Sequence, residues 1–162
     1  MAKVVIYTDG SALGNPGPGG YGVILISGVH RRELSQGYAL TTNNRMELMA
    51  VIAGLEALKT DGCEVTVYSD SKYVVDAVEK KWVFAWAATP DFKGKKNPDL
   101  WLRFLRAYRR HAVRFVWVKG HANNPNNERC DRMAIAAGKG KNLPADKGYL
   151  CQVGIPSLGL GL

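Results

Sequence analysis

The chain has 162 residues, the size of one ordinary domain; 46% are apolar and the mean hydropathy is -0.15. That composition excludes a disordered chain, and no apolar run approaches the ~20 residues needed to cross a bilayer. The formal net charge is +8, and the whole excess lies between residues 72 and 119, where twelve Lys or Arg stand against four acids, so a polyanion is the expected partner and a membrane is not.

The N-terminus, MAKVVIYTDG, enters a strand at once without signal-peptide architecture, which predicts a cytoplasmic protein. Lys3 to Thr8 is β-branched and aromatic, and Tyr7 to Gly22, YTDGSALGNPGPGGYG, then runs into six glycines and two prolines, which predicts a strand opening into a glycine-rich loop. Tyr21 to Ile26 and Arg32 to Leu40 predict two further strands around a turn at Gly28, completing an antiparallel meander. The period turns helical from Asn43 to Lys59, with Val51, Gly54 and Leu58 on one stripe and Leu48, Ile52 and Leu55 on its neighbour. Val65 to Ser69 is a fourth strand; Lys72 to Glu79 and Trp82 to Ala88 are short helices, and Thr89 to Pro98, TPDFKGKKNP, is a loop. Asp99 to Arg110 is a basic amphipathic helix, Val113 to Val118 a fifth strand, and Glu128 to Gly138 a last helix after the loop GHANNPNN. The sum is an α/β fold: a mixed five-stranded sheet, three strands antiparallel and two parallel, flanked by helices. Cys63, Cys130 and Cys151 are odd in number and widely spaced without a CxxC pair, so reduced thiols are expected.

Four acids occupy special places. Asp9 ends the first strand and Asp70 the fourth, so adjacent strands would set both carboxylates on the carboxyl edge, where open α/β sheets tend to carry their sites. Like charges that close repel unless a cation lies between them. Glu47 has two readings: the third helical position after an Asn44 cap, or an acid on the stripe of Val51, Gly54 and Leu58 that points to the sheet. Asp131 in CDRMAIAAG has the same character, with Glu128 a turn earlier explained by the helix dipole. Carboxylate oxygens are hard ligands suited to Mg²⁺ or Mn²⁺, and such ions would let a phosphate approach acids in an otherwise basic protein. His121, in VKGHANNPNN, is either a surface imidazole without a role or a proton carrier beside a phosphate site.

YTDGSALGNPGPGGYG, TTNNRMELMA, YSDSKYV and WVKGHANNPNNERCDRMA, in that order, resemble the four signature segments of bacterial type 1 ribonuclease H. The resemblance spans Lys3 to Tyr149, giving one domain over residues 1–149 and a Leu- and Gly-rich tail of unassigned role over 150–162. It implies a monomeric endonuclease that cuts the RNA strand of an RNA–DNA hybrid with two Mg²⁺ ions, Mn²⁺ being a possible substitute, and leaves 5′-phosphate and 3′-hydroxyl ends. By the same resemblance Asp9, Glu47, Asp70 and Asp131 are metal ligands, and His121 assists proton transfer or product release. Asn15, Asn43 and Asn44 match minor-groove contacts, and Thr42 and Asn97 a pocket for a DNA phosphate. Lys80, Lys81, Trp82, Trp86, Lys93, Lys95, Lys96 and Trp101 fall in a hybrid-binding protrusion of residues 80–101, although tryptophans at helical spacing also make a buried face. Two residues depart from the pattern: Lys72 stands for a common glutamine and Asn124 for a second histidine. The glycines of the first segment are expected to let backbone amides approach a sugar-phosphate strand. A P-loop is excluded by the missing GK[ST] ending. A non-catalytic hybrid-binding module is disfavoured by the presence of all four acids, and an actin-like ATPase by the short, unduplicated chain.

Overall fold

The computed structural model describes residues 2–119 and 123–155. Its elements in chain order are β1 (Lys3–Ala12), β2 (Gly17–Ser27), β3 (His30–Thr41), α1 (Asn43–Glu56), β4 (Glu64–Ser69), α2 (Lys72–Glu79), α3 (Trp82–Ala87), α4 (Pro98–Tyr108), β5 (Ala112–Trp117), α5 (Pro125–Gly138) and α6 (Lys147–Gln152). One sheet runs in the order β3-β2-β1-β4-β5. The meander β1-β2-β3 is antiparallel, while β4 lies parallel to both β1 and β5. The expected mixed five-stranded architecture is therefore observed.

The register sets the site. Tyr7 pairs with Tyr68 across β1 and β4, their rings stacked with centroids 5.0 Å apart. Two residues further along, Asp9, still paired with Gly22 in β1, comes within reach of Asp70, the residue after β4. The buried faces of α1 (Leu48, Val51, Ile52, Leu55) and of α4 (Leu100, Trp101, Phe104, Leu105) join Ile6, Val23, Val65 and Val67 in the core. Trp101 is fully buried, edge-on to Trp86 and Phe104, with its indole N–H donating to the Tyr73 hydroxyl at 3.0 Å. It is a core residue, not part of a hybrid-binding surface.

The glycine-rich segment differs from the expectation. Only residues 13–16 form a turn; Gly10 lies in β1, and Gly17, Gly19, Gly20 and Gly22 lie in β2. Their smallness serves helix packing. A Cβ on Gly20 would meet the Ala134 carbonyl of α5 at 2.7 Å, and one on Gly22 would meet the Cys130 carbonyl at 2.5 Å. These glycines let α5 lie almost on the sheet backbone, so the stretch is a packing surface and not a mobile phosphate loop. The chain between residues 89 and 98 also contains a 3-10 turn at Phe92–Gly94, with Phe92 buried.

Two helices depart from the periodicity. α5 begins at Pro125 because Asn124 caps it, its Oδ1 accepting from the amides of Asn126 and Asn127. α6 has no apolar period to announce it; it is capped by Asp146, whose Oδ1 accepts from Tyr149 N, and buries Tyr149 and Leu150. It crosses residue 149, where the family resemblance ends. Residues 156–162 of the tail lie outside the described residues.

Because the atoms around Gly20 are backbone and short side chains, Gly20→Ala should push α5 off the sheet and cost about 1–3 kcal/mol, as overpacking typically does. Urea unfolding followed by circular dichroism measures this, and an unchanged midpoint would show that α5 tolerates the shift.

Candidate active site

Each of the four acids arrives from a different element. Asp9 lies within β1, Asp70 directly follows β4, Glu47 is in the first turns of α1 and Asp131 in α5. The two helices approach from opposite faces, since Gly54 of α1 packs on Ile6 and Val23 whereas α5 packs on Gly20 and Gly22. Asp9, Glu47 and Asp70 each offer a carboxylate oxygen such that the three atoms lie within 4.8 Å of one another. Asp131 lines the same cavity of about 410 Å³, together with Ser11, Asn44 and Lys72.

The competing reading of Glu47 as a capping residue fails. Thr42 is the N-cap, its Oγ1 accepting from Arg45 N at 3.2 Å, and Glu47 Oε1 instead accepts from Gly10 N at 2.6 Å. The same amide donates to Asp9 Oδ1 at 2.9 Å. A Cβ on Gly10 would collide with the Met46–Glu47 backbone, so glycine is needed for α1 to bring Glu47 against β1.

Crowding acids out of water has a cost that appears in their proton affinity. Burial, then the Asp70 charge, raises Asp9 to about 8, while Gly10 N–H opposes the shift. Burial, then the charges of Asp9 and Asp70, holds Glu47 well above the ordinary range. The metal-free cluster is therefore partly protonated at neutral pH. Three hard oxygens at this spacing, destabilised by one another as anions, fit a divalent cation.

A second cavity, of about 830 Å³, lies beside this one, and Asn44 lines both. It contains Asn15, Thr42, Asn97, Lys95 and Lys96 from the expected substrate set. Asn15 Oδ1 accepts from Asn43 N at 3.0 Å, and Asn43 Oδ1 from Ala12 N at 2.5 Å, which latches the turn to the start of α1. Asn97 is 4% exposed; its Nδ2 donates to the Tyr73 hydroxyl and its Oδ1 accepts from Arg45 Nη1. Trp86 is half-buried against Trp101 and Phe92 with Lys95 Nζ 5.4 Å from its ring, whereas Trp82 is exposed beneath Lys80. Lys81, Lys93 and Lys96 are exposed on the same protrusion. Lys72 rests its ammonium over Trp117, whose indole N–H donates to the Asp70 carbonyl. His121 lies outside the described residues.

Sequence reasoning passed over Arg45, the side chain beneath this cavity. Its five N–H donors are all used: two bonds to Asp99, two to Asp146 and one to Asn97. A signal existed, because Arg45 falls at helical spacing on the apolar stripe of Leu48, Ile52 and Leu55. No pattern announced Asp146, whose partner is remote in the chain.

Solved structures that share this five-stranded architecture are RNase H domains. The model of the RNase H family matches residues 1–139. Ribonuclease H of Syntrophus aciditrophicus is 56% identical over 151 residues, covering 91% of this chain and 87% of that protein, and that of Pectobacterium atrosepticum is 53% identical over 151 residues, covering 91% and 96%. Among solved structures, LC9-RNase H1, a type 1 RNase H with the type 2 active-site motif, superposes with a TM-score of 0.75 at 30% identity, covering 95% of this chain and 83% of that one. LC11-RNase H1, solved in complex with an RNA/DNA hybrid, gives 0.58 at 27% identity, covering 83% and 95%. The chain belongs to the RNase H family, among its bacterial type 1 enzymes.

The proton affinities give a sign for stability. Asp9 is protonated in the metal-free fold up to about pH 8 but only to its ordinary value of 3.8 when unfolded, so between these limits the folded state binds more protons and stability falls as pH rises. The thermal midpoint in EDTA should therefore drop from pH 5 to pH 9, and Asp9→Asn should raise it and flatten the dependence. A midpoint that climbs with pH would contradict the assignment.

Proposed function

We propose that the protein is an endonuclease that hydrolyses the RNA strand of RNA–DNA hybrids with two Mg²⁺ ions, leaving 5′-phosphate and 3′-hydroxyl ends. The observation that carries this reading is the meeting of Asp9, Glu47 and Asp70 within 4.8 Å at the sheet edge, with Asp131 on the same cavity, in a chain of this family. The hybrid as substrate is supported by LC11-RNase H1, whose structure contains one.

Asp9, Glu47, Asp70 and Asp131 would hold the ions, which supply charge neutralisation, an activated water and stabilisation of the leaving oxygen. The chain's own residues do the remaining work. Gly10 N–H holds one oxygen each of Asp9 and Glu47, so the two carboxylates are oriented before any ligand arrives. Burial raises their proton affinity, so loading the site releases protons and is favoured at higher pH. Asn15, Asn43 and Asn44 lie between the acids and the second cavity, where they would follow a duplex groove. Thr42 would receive a backbone phosphate, with buried Asn97 shaping the floor of the same cavity. Lys80, Lys81, Lys93, Lys95, Lys96, Trp82 and Trp86 present the protrusion to the duplex, and His121 would carry a proton to or from the cleavage site.

Asp9→Asn and Asp70→Asn should each abolish Mg²⁺-dependent cleavage while leaving hybrid binding largely intact. A gel assay with labelled hybrid, double-stranded RNA and double-stranded DNA tests both substrate and site; wild-type turnover by either variant, or equal cutting of all three duplexes, would overturn the proposal.

Replacing Lys93, Lys95 and Lys96 together by Ala should raise KM for hybrid with little change in kcat, because contacts made equally in ground and transition states affect affinity alone. Each phosphate neutralised contributes roughly −0.9 to the slope of log K against log salt on B-DNA, so the magnitude should fall by up to about 3. Titrations at several salt concentrations measure it, and an unchanged slope would remove these lysines from the interface.

A further inference from the structure

The second cavity has a wall that nothing above assigns to substrate. Gln152, the last residue of α6, lines it together with Thr42, Asn44, Lys95, Lys96 and Asn97. Its Oε1 accepts from Asn97 N at 2.6 Å. That contact fixes which end of the amide is oxygen, because a backbone N–H needs an acceptor. The two Nε2 hydrogens are therefore turned away from Asn97, and among the described residues no acceptor is recorded for them. Gln152 itself is exposed.

Asn97 meanwhile has little left to offer a ligand. Its Oδ1 is taken by Arg45, its Nδ2 is bonded to Tyr73 and its backbone N–H is held by Gln152. Thr42 Oγ1 accepts from Arg45 N, which leaves its hydroxyl hydrogen to donate outward. A phosphodiester entering between Lys95, Lys96 and Thr42 needs aligned neutral donors as well as charge. The side-chain amide of Gln152 is such a donor, already oriented by Asn97 and carried on a helix anchored through Asp146 to Arg45.

Resting on the hybrid-cleaving reading above, we propose that Gln152 is a substrate-binding residue, donating its side-chain amide to one backbone phosphate of the hybrid. The C-terminal helix is thereby part of the substrate groove. Asn97 acts mainly through Gln152, as the group that orients it.

Two substitutions separate contact from mere support. Gln152→Ala removes both the acceptor and the donors; Gln152→Glu keeps an acceptor for Asn97 N–H but replaces the donors with negative charge. Hybrid affinity is read by fluorescence anisotropy in EDTA, where no cleavage occurs, and KM and kcat are read in Mg²⁺. Gln152→Ala should weaken binding about tenfold, as loss of a phosphate hydrogen bond does, and raise KM without changing kcat. Gln152→Glu should weaken it further while retaining the wild-type thermal midpoint. A single methylphosphonate moved along each strand should, at one position, abolish the difference between wild type and Gln152→Ala. Wild-type affinity in either variant, or a difference that persists at every methylphosphonate position, would overturn the assignment of Gln152. Failure of the unmodified protein to bind hybrid would instead overturn the functional reading on which it rests.

Discussion

Three carboxylates withdrawn from water and held within a few ångströms repel each other, and the fold is arranged to keep them there. Two come from parallel neighbouring strands whose register places Asp9 beside Asp70. Glu47 is pressed against them by α1, and its approach depends on the absence of a side chain at Gly10. The Gly10 N–H donates to both Asp9 and Glu47. Burial, and then the neighbouring carboxylate charges, raise the proton affinity of Asp9 and Glu47, and the same repulsion favours a cation. Gly10 in β1, the glycines of β2 that let α5 approach, and the β1–β4 register that stacks Tyr7 on Tyr68 are parts of one solution to this problem.

The positive charge of the chain is spent in two ways. Arg45 is buried and saturated by Asp99, Asp146 and Asn97, so it fastens α1, α4 and α6 together and contributes no donor to a ligand. Burial of an unpaired guanidinium would be prohibitive, and here each N–H has a partner. The lysines of the protrusion are exposed and rest their ammonium groups on aromatic rings, Lys80 on Trp82, Lys81 on Phe84 and Lys95 on Trp86. They are attracted to the rings weakly enough to move to a phosphate.

Much of this was legible in the amino-acid order because it rests on local pattern. Alternation and β-branching mark the strands, an acid at the end of a strand marks Asp70, and acids on apolar helix stripes mark Glu47 and Asp131; Asp9 looks like a strand end in the sequence, whereas β1 runs on to Ala12 because it stays paired with β2. The glycines were legible as important but not in their purpose, because permissive backbone and close packing require the same residue and only the position of α5 distinguishes them. Trp86 and Trp101 share the composition of a binding surface, yet Trp101 is sealed in the core by Phe104 and Tyr73. α6 was not legible at all. It is six residues long, and what holds it is the burial of Tyr149 and Leu150 together with polar contacts to Arg45 and Asn97, 101 and 55 positions away in the chain.

The distance spanned by the Arg45 contacts separates two meanings of a domain boundary. The match to the family model ends at residue 139, but Asp146 accepts from Arg45 and from Thr41 in the interior. Gly148 sits so close to Arg45 that a Cβ there would meet Nη2 at 2.6 Å. A chain cut where that match stops would keep every strand and every acid of the site, yet leave the buried Arg45 guanidinium with Asp99 and the neutral Asn97 after losing Asp146. A segment 101 residues downstream thus neutralises a charge on α1, and the core is electrically complete only once that segment has docked.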